Sequence, residues 1–208
     1  TQKKSIPDGL WEKCPKCDEI LFKKELSRVL MVCPNCQFHF RLSYQNYLKI
    51  LFDDLNYDEL NSHLRSADPL KFKAKKSYVD QLKAAVIKTG CPDVVNTYSG
   101  VINEKNIILC IMNFSFIGGS MGSVVGEKIS RAVDQALHES CPLIIISASG
   151  GARMQEGVYS LMQLAKISAK LSRFSKMGGL YISILTDPTT GGVSASFAMQ
   201  GDFILAEP

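Results

Sequence analysis

Two kinds of hydrophobic pattern alternate along the second half of the chain. Continuous apolar runs, such as residues 107–112 and 143–146, have the length of buried β-strands. Between such runs, apolar residues recur every three or four positions, as at Val125, Ile129 and Val133, which predicts helices with one buried face. A unit of strand, glycine-rich loop and helix recurs three times. This order predicts an α/β fold with a mainly parallel core.

The same patterns predict the individual elements of this part. Residues 103–106 (Asn-Glu-Lys-Asn) separate two strand patterns and predict a hairpin. The predicted strands are 94–102, 107–114, 143–147, 180–186 and 203–206, and the predicted helices are 124–139, 154–175 and 193–200.

The first 90 residues are predicted to contain two helices. Ser43 is a favourable N-cap for a helix over 44–52, and Gly90 is a favourable stop for a helix over 77–89. The polar stretch 53–66 between the two helices is interpreted as a connector. We therefore divide the chain into a cysteine-rich module at 1–42, a helical connector at 43–90 and a main domain at 91–208.

Four cysteines of the first module, Cys14, Cys17, Cys33 and Cys36, have the spacing C-x2-C-x15-C-x2-C. Two chelating pairs in turn-forming Cys-Pro-x-Cys contexts predict one tetrahedral zinc site, and the short strands expected at 21–22 and 29–32 make the module a zinc ribbon. Four thiolates leave no open coordination position, so the zinc is expected to be structural. Two disulfides are the alternative, which the seven cysteines and the lack of a recognisable signal peptide disfavour.

The composition is typical of a soluble globular protein, with 46% apolar and 21% charged residues. The apolar runs are too short to span a bilayer, so no membrane association is expected. The net charge is +4, and residues 1–42 carry eight basic against five acidic side chains. Four thiolates on a divalent zinc ion bring this module close to +1. Nucleic-acid binding by the ribbon is therefore a weak alternative function.

The glycine-rich loops predict a site for negative charge. Backbone N–H groups at a strand–helix junction suit a bound phosphate or an oxyanion that forms during a reaction, although a glycine pair by itself indicates only a tight turn. No phosphate-binding P-loop or nucleophile elbow is complete. The three histidines, His39, His63 and His138, lie outside the loops. Such a site suits enolate stabilisation, or a substrate that brings its own base.

Three long motifs carry a resemblance to a known family: FIGGSMGSVVGEK at 116–128, SASGGARMQEG at 147–157 and TDPTTGGVSASF at 186–197. Together with the ribbon, they resemble the β subunits of acetyl-coenzyme A carboxylase carboxyltransferase, in the multi-subunit form of bacteria and plastids. The resemblance implies a crotonase-type fold of repeated ββα units. It also implies transfer of a carboxyl group from carboxybiotin to acetyl-CoA, which forms malonyl-CoA in the first committed step of fatty acid synthesis.

The resemblance also implies roles for single residues. Gly191 and Gly192 are expected to bind the oxyanion, with Gly150 and Gly151 as the second contributing loop. Arg153 is expected either to contact a coenzyme A phosphate or to hold its helix by a salt bridge, and the salt bridge is favoured. A third loop is expected either to shape the substrate cleft or to form a turn that holds Met121 in the core, and its glycines are Gly118, Gly119 and Gly122.

The resemblance implies partners as well. A carboxyltransferase α subunit of the same fold is expected to complete the site in an α2β2 assembly. Biotin is expected to be attached to a partner, the biotin carboxyl carrier protein. A biotin carboxylase is expected as a further partner. The compartment is expected to be the bacterial cytoplasm or the plastid stroma. Family chains continue beyond the point that corresponds to Pro208, so a C-terminally truncated chain is expected.

Overall fold

The computed structural model describes residues 9–207. It divides into two compact units, of which the first ends at Tyr47 and the second is Leu48–Glu207. This division differs from the predicted one, because most of the expected connector at 43–90 belongs to the second unit.

The first unit is built around a small two-stranded sheet. Strand β1 (Trp11–Lys13) pairs antiparallel with β2 (Ile20–Phe22), and the short helix α1 (Lys23–Arg28) follows directly. Helix α2 (Tyr44–Leu51) begins at the end of this unit and matches the predicted helix closely. The ring centroids of Trp11 and Phe22 lie 5.2 Å apart, so the cross-strand pair stabilises the hairpin.

The strand predicted at 29–32 is wrong for most of its length. Val29 caps α1, and Leu30 and Met31 have φ angles of 53° and 61°. These left-handed conformations turn the chain toward the second cysteine pair, and only Val32 forms a bridge, with His39. These apolar residues therefore form a turn, which the hydrophobic pattern does not predict.

The second unit contains a six-stranded sheet whose strands lie in chain order. The first two pairings in this order are antiparallel, and the other three are parallel. The predicted α/β fold with a mainly parallel core is confirmed. The strands are β3 (Tyr57–Leu60), β4 (Val95–Ile102), β5 (Lys105–Met112), β6 (Leu143–Ser149), β7 (Tyr181–Thr189) and β8 (Phe203–Ala206).

Helices cover this sheet and connect its parallel strands. Helix α4 (Ser123–Glu139) packs against β4, β5 and the next helix along the chain, and its apolar stripe, which includes Val125, Ile129 and Val133, is buried. Burying each such side chain contributes about 1.5–3 kcal/mol. The helices of the second unit are α3 (Tyr78–Thr89), α4 (Ser123–Glu139), α5 (Val158–Lys176) and the short α6 (Gly191–Ser194).

The predicted stop of α3 at Gly90 agrees with the structure, which also shows Ser77 as the N-cap of this helix. The Ser77 hydroxyl accepts the backbone N–H of Asp80 at 3.1 Å, and Gly90 ends the helix with φ 68°. Both positions follow from local chemistry, because a hydroxyl satisfies a free N–H and glycine adopts left-handed backbone without strain. Within the described residues, no helix is both long enough and apolar enough to cross a membrane.

Two predicted elements differ in the second unit. The polar stretch after α2 contains β3, which pairs with β4 and places Tyr57 beside the rings of Phe52 and Tyr98. The helix predicted at 193–200 ends at Ser194, and a 3-10 turn, Phe197–Met199, follows it. The Ser196 hydroxyl donates to the Gly192 carbonyl at 2.6 Å, which satisfies a carbonyl where the regular helix stops.

Candidate active site and metal centre

The four cysteines of the first unit converge on one centre. Their sulfur atoms all lie within 4.8 Å of one another. The Sγ atoms of Cys14 and Cys36 are 3.6 Å apart, those of Cys17 and Cys33 are 3.7 Å apart, and all four residues are free thiols. Four converging sulfurs are the donor set of a structural zinc site, so these residues fit the predicted metal.

The two cysteine pairs sit in equivalent turns. The N–H of Cys14 donates to Glu19 O at 2.8 Å, and the N–H of Cys33 donates to Phe38 O at 2.7 Å. Asp18 follows the first pair and Gln37 the second, and each has a φ of 60°. The repeated geometry aims both pairs at the same centre, as the sequence predicts.

The thiols of this cluster differ in acidity because they lie close together. A backbone hydrogen bond from Glu19 lowers the pKa of Cys17 to about 7. Burial and the neighbouring sulfurs together raise the pKa of the Cys36 thiol to about 12. Four thiolates therefore need a cation to coexist, which a bound zinc ion supplies.

The three glycine loops of the second unit meet beyond the carboxyl ends of β6 and β7. The N–H of Gly150 donates to Gly118 O at 2.9 Å, and the N–H of Met121 donates to Gly151 O at 2.8 Å. A side chain at Gly119 would place its Cβ 2.0 Å from the carbonyl oxygen of Ala148. The first loop therefore lies directly against the second, and glycine at 119 permits this approach.

The second and third loops touch through glycine backbone. A Cβ at Gly191 would lie 3.1 Å from the Cα of Gly151, and the two residues have φ angles of 59° and 119°. The N–H of Thr190 donates to Ser149 O at 2.9 Å, which ties the end of β7 to the end of β6. Both the contact and the backbone angles require glycine at 151 and 191.

The backbone donors of these loops are not equivalent. The N–H groups of Gly150 and Gly151 are occupied by Gly118 O and by the Ser149 hydroxyl, at 2.9 and 3.0 Å. Among the described residues, no acceptor lies against the N–H groups of Gly191 and Gly192, which open the first turn of α6. The N–H groups of Gly150 and Gly151, from which an oxyanion contact is expected, are thus occupied here, and the two residues form the wall that holds the third loop.

Sequence reasoning missed one backbone group beside this pair. The Ala152 nitrogen lies 3.7 Å from the position of a Cβ on Gly192, and within residues 9–207 its N–H has no acceptor. Nothing in the sequence distinguishes this N–H from those of Gly150 and Gly151. Met121 forms a parallel bridge with Ala152, in which its backbone bonds to the residues on either side of Ala152, Gly151 and Arg153. The N–H of Ala152 itself therefore stays free.

Arg153 is fully buried and makes a salt bridge. Its Nη2 atom lies 2.8 Å from Asp93 Oδ1, and its Nη1 atom lies 3.3 Å from Glu156 Oε1. The guanidinium also donates to Ser120 O at 2.9 Å. A contact between Arg153 and a coenzyme A phosphate is thus contradicted by its burial, and the favoured salt bridge agrees with the structure. The sequence did not identify Asp93, which lies 60 residues away along the chain.

Close packing, and not an open substrate cleft, explains the glycine at position 122. A Cβ there would lie 2.5 Å from Glu156 Oε1 and 3.0 Å from the Arg153 guanidinium carbon. Only glycine lets these buried side chains approach the start of α4. Gly118, with φ 62° and open space around its Cβ position, remains a turn at the loop tip.

Acid is expected to destabilise the second unit through Asp93. Burial alone would raise the pKa of this carboxyl, but the Arg153 guanidinium outweighs burial and holds the pKa below its usual value. The stabilisation is therefore fully present above the unfolded pKa of about 4 and is lost as pH falls through the folded pKa. Asp93→Asn should cost about 3 kcal/mol at neutral pH, because it leaves part of a buried charge unpaired.

Thermal unfolding of wild type and Asp93→Asn across pH checks this expectation. The difference between their Tm values should be large at about pH 6 and shrink toward about pH 3. A difference that stays constant over this range would contradict the role given to Asp93.

The second unit and the ribbon each match a known protein family. Residues 64–207 match the family described as carboxyl transferase domain, and residues 11–36 match the acetyl-CoA carboxylase zinc finger domain. The chain belongs to the carboxyl transferase family. The predicted family, zinc ribbon and crotonase-type fold class are thereby confirmed for this carboxyl transferase chain.

Relatives at about half identity cover the chain from end to end. It is 50% identical to the acetyl-coenzyme A carboxylase carboxyl transferase subunit beta of Chlorobium chlorochromatii (strain CaD3), over 100% of this chain and 75% of that protein. It is 52% identical to the chloroplastic subunit beta of Pyropia yezoensis, over 98% of this chain and 71% of that protein.

Solved structures share the fold over most of the chain. Transcarboxylase 12S with methylmalonyl-coenzyme A bound has a TM-score of 0.66 and 27% identity, and the match covers 80% of this chain but 29% of that one. A Pseudomonas malonate decarboxylase hetero-tetramer in complex with malonate has a TM-score of 0.61 and 20% identity over 87% and 62% of the two chains. This chain therefore spans less than a third of the transcarboxylase chain.

Proposed function

We propose that this chain is the β subunit of a biotin-dependent acetyl-CoA carboxylase carboxyltransferase, which transfers a carboxyl group to acetyl-CoA and forms malonyl-CoA. The observation that carries the proposal is the junction of the glycine loops, where the Gly191 and Gly192 N–H groups have no acceptor among the described residues. The loops contain no histidine, cysteine or lysine. Such a site stabilises an oxyanion without supplying a base.

The backbone N–H groups act where charge develops. In the forward reaction, the thioester carbonyl oxygen of acetyl-CoA gains negative charge as the methyl group loses its proton. The N–H groups of Gly191 and Gly192, with that of Ala152 beside them, are placed to donate to this oxygen. One well-aimed donor contributes about 3–4 kcal/mol to lowering the barrier in other enzymes.

The chemistry that this chain lacks comes from a carried cofactor. Biotin, borne by a separate carrier protein, supplies the carboxyl group and the base when it is bound. The role of this chain is to hold the reactants close together and to keep the N–H donors fixed. The donors stay fixed because Gly151 and Gly191 pack without side chains between them.

Partners and compartment follow from the proposed reaction. A carboxyltransferase α subunit completes the site, in an α2β2 assembly, and the biotin carboxyl carrier protein and biotin carboxylase deliver the carboxyl group. Relatives from a bacterium and from a chloroplast support the bacterial cytoplasm or the plastid stroma as the compartment.

The zinc ribbon is proposed to be structural. Its basic side chains are partly neutralised, because Lys13 pairs with Asp18 at 2.7 Å and Lys23 pairs with Glu12 at 3.3 Å. A nucleic-acid surface instead needs basic groups that are free to meet phosphates. These ion pairs therefore disfavour nucleic-acid binding by the ribbon.

Carboxylation of free biotin with malonyl-CoA as the carboxyl donor tests the proposal. We expect the full-length chain mixed with an α subunit to catalyse this reaction, and neither protein to do so alone. A folded complex that contains zinc but has no activity would refute the proposed function.

A further inference from the structure

A buried carboxylate joins three separate parts of the second unit. The side chain of Glu156 is 1% exposed. Its Oε1 atom accepts the Tyr78 hydroxyl at 2.6 Å and lies 3.3 Å from Arg153 Nη1. Its Oε2 atom accepts the backbone N–H of Ser123 at 2.6 Å and also the Ser123 hydroxyl. The Ser66 hydroxyl also reaches Oε1, at 3.5 Å. We call Glu156 together with Tyr78, Arg153 and Ser123 the Glu156 cluster.

The Glu156 cluster caps helix α4 from outside that helix. Gly122 stands at the N-cap and has no side chain to satisfy the first N–H groups. The carboxylate of Glu156 takes this place, and its negative charge meets the positive end of the helix dipole. Burial raises the pKa of Tyr78, so its hydroxyl stays protonated and remains a donor to Glu156.

The Glu156 cluster is connected to the glycine loops through Arg153. Arg153 Nη2 donates to Ser120 O at 2.9 Å, and the backbone N–H of Arg153 donates to Met121 O at 2.8 Å. In the loop held in this way, the Met121 N–H donates to Gly151 O at 2.8 Å. The position of Gly151, which packs against Gly191, therefore depends on contacts that Glu156 fixes.

We propose that Glu156 is a positioning residue for the oxyanion site, because it fastens Arg153 and the start of α4 so that the wall behind Gly191 stays in place. The inference rests on the proposed function for its catalytic consequence. Glu156 is buried, so its role is exerted through Arg153 and Ser123. A role in stability alone would lower the Tm without a selective loss of kcat.

Kinetics of Glu156→Gln in the assembled full-length enzyme test this role. Glutamine keeps the shape and one acceptor, but it turns a donor toward Ser123 or Tyr78. We expect kcat for malonyl-CoA-dependent biotin carboxylation to fall by about 100-fold, because small misplacements cost this much. The KM for malonyl-CoA should stay near the wild-type value, since the loss arises in the transition state.

A matched control separates positioning from stability. Thr97 is fully buried in β4, and its hydroxyl donates to Leu60 O at 2.7 Å, away from the loops. Thr97→Val should lower the Tm and leave kcat unchanged. Equal losses of kcat in Thr97→Val and Glu156→Gln at similar Tm would overturn the proposal, and so would wild-type kcat in a folded Glu156→Gln enzyme.

Two further measurements keep the test decisive. Ser123→Ala removes one hydroxyl donor and keeps the N–H, so it replaces Glu156→Gln if that variant does not assemble, and a smaller fall in kcat is expected. Amide hydrogen exchange needs no activity: the amides of Gly151 and Thr190 should exchange faster in either variant, while those of β5 stay protected. Unchanged exchange at Gly151 and Thr190 overturns the positioning role. An inactive wild-type enzyme overturns the proposed function alone.

Discussion

Replacing Gly191 by valine is expected to lower the carboxylation rate of the assembled enzyme by roughly 10²–10³-fold, the range that loss of an oxyanion donor costs elsewhere. The residue has φ 59°, which a β-branched side chain adopts only with strain. A Cβ at this position would also lie 3.1 Å from the Cα of Gly151. The third loop must then shift, and the N–H groups of Gly191 and Gly192 lose their aim.

A second glycine provides the control for backbone strain. Gly178 has φ 81°, but nothing lies within 4 Å of its Cβ position. Gly178→Val should lower the Tm and keep most of the activity, and both variants should bind one zinc ion per chain. Steady-state kinetics with zinc analysis checks the pair. A fully active complex that contains Gly191→Val would contradict the site.

The sequence gives Gly191 and Gly192 the same expected role, and the structure makes Gly191 the more sensitive position. A Cβ on Gly192 would meet only ordinary contacts, at 3.5 Å from Leu164 Cδ2 and 3.6 Å from the Ala152 Cβ. Its backbone does not lie in the left-handed region. Gly192→Ala is therefore expected to be milder than Gly191→Val.

Replacing Cys33 by serine is expected to release the zinc and unfold the first unit. Among the described residues up to Tyr47, the only buried apolar side chains are Cys14, Leu26 and Cys33. So small a core does not offset the conformational entropy of the chain, and the metal must supply the difference. Structural zinc contributes roughly 10–16 kcal/mol in zinc-finger peptides at pH 7.

Zinc analysis and limited proteolysis check the effect of Cys33→Ser. Cleavage should be confined to the first unit, because the sheet of the second unit has its own core. Cys141, which is buried outside the cluster, offers the matched control, and Cys141→Ser should keep its zinc. Undiminished zinc in Cys33→Ser would refute the assignment of the ligands.

The features that the sequence predicted correctly depend on short-range chemistry. The cysteine spacing specifies two turns that each place a pair of sulfurs, and Gly90 ends α3 through its own left-handed backbone. Helical periodicity in α4 and continuous apolar runs in β5 and β6 reflect burial on one face or on both. The order of these elements then favours a mainly parallel sheet.

The features that the sequence missed depend on contacts between distant residues. Strand β3 carries little hydrophobic pattern of its own and exists because it pairs with β4. Tyr78 and Glu156 are 78 residues apart, and Asp93 and Arg153 are 60 apart. No local pattern indicates such pairs, because burial of a charge is stable only where a partner arrives from elsewhere in the fold.

The sequence by itself therefore determined the zinc ligands, the α/β fold and the position of the glycine loops. Only the tertiary structure decided which N–H groups of those loops are free. Gly118 O and the Ser149 hydroxyl occupy the donors of Gly150 and Gly151, and no such acceptor reaches Gly191 and Gly192 within the described residues. The physical reason is that every residue except proline has the same backbone N–H group, so the sequence does not show which of these donors is free. Whether a donor is free depends on which acceptor the fold places beside it.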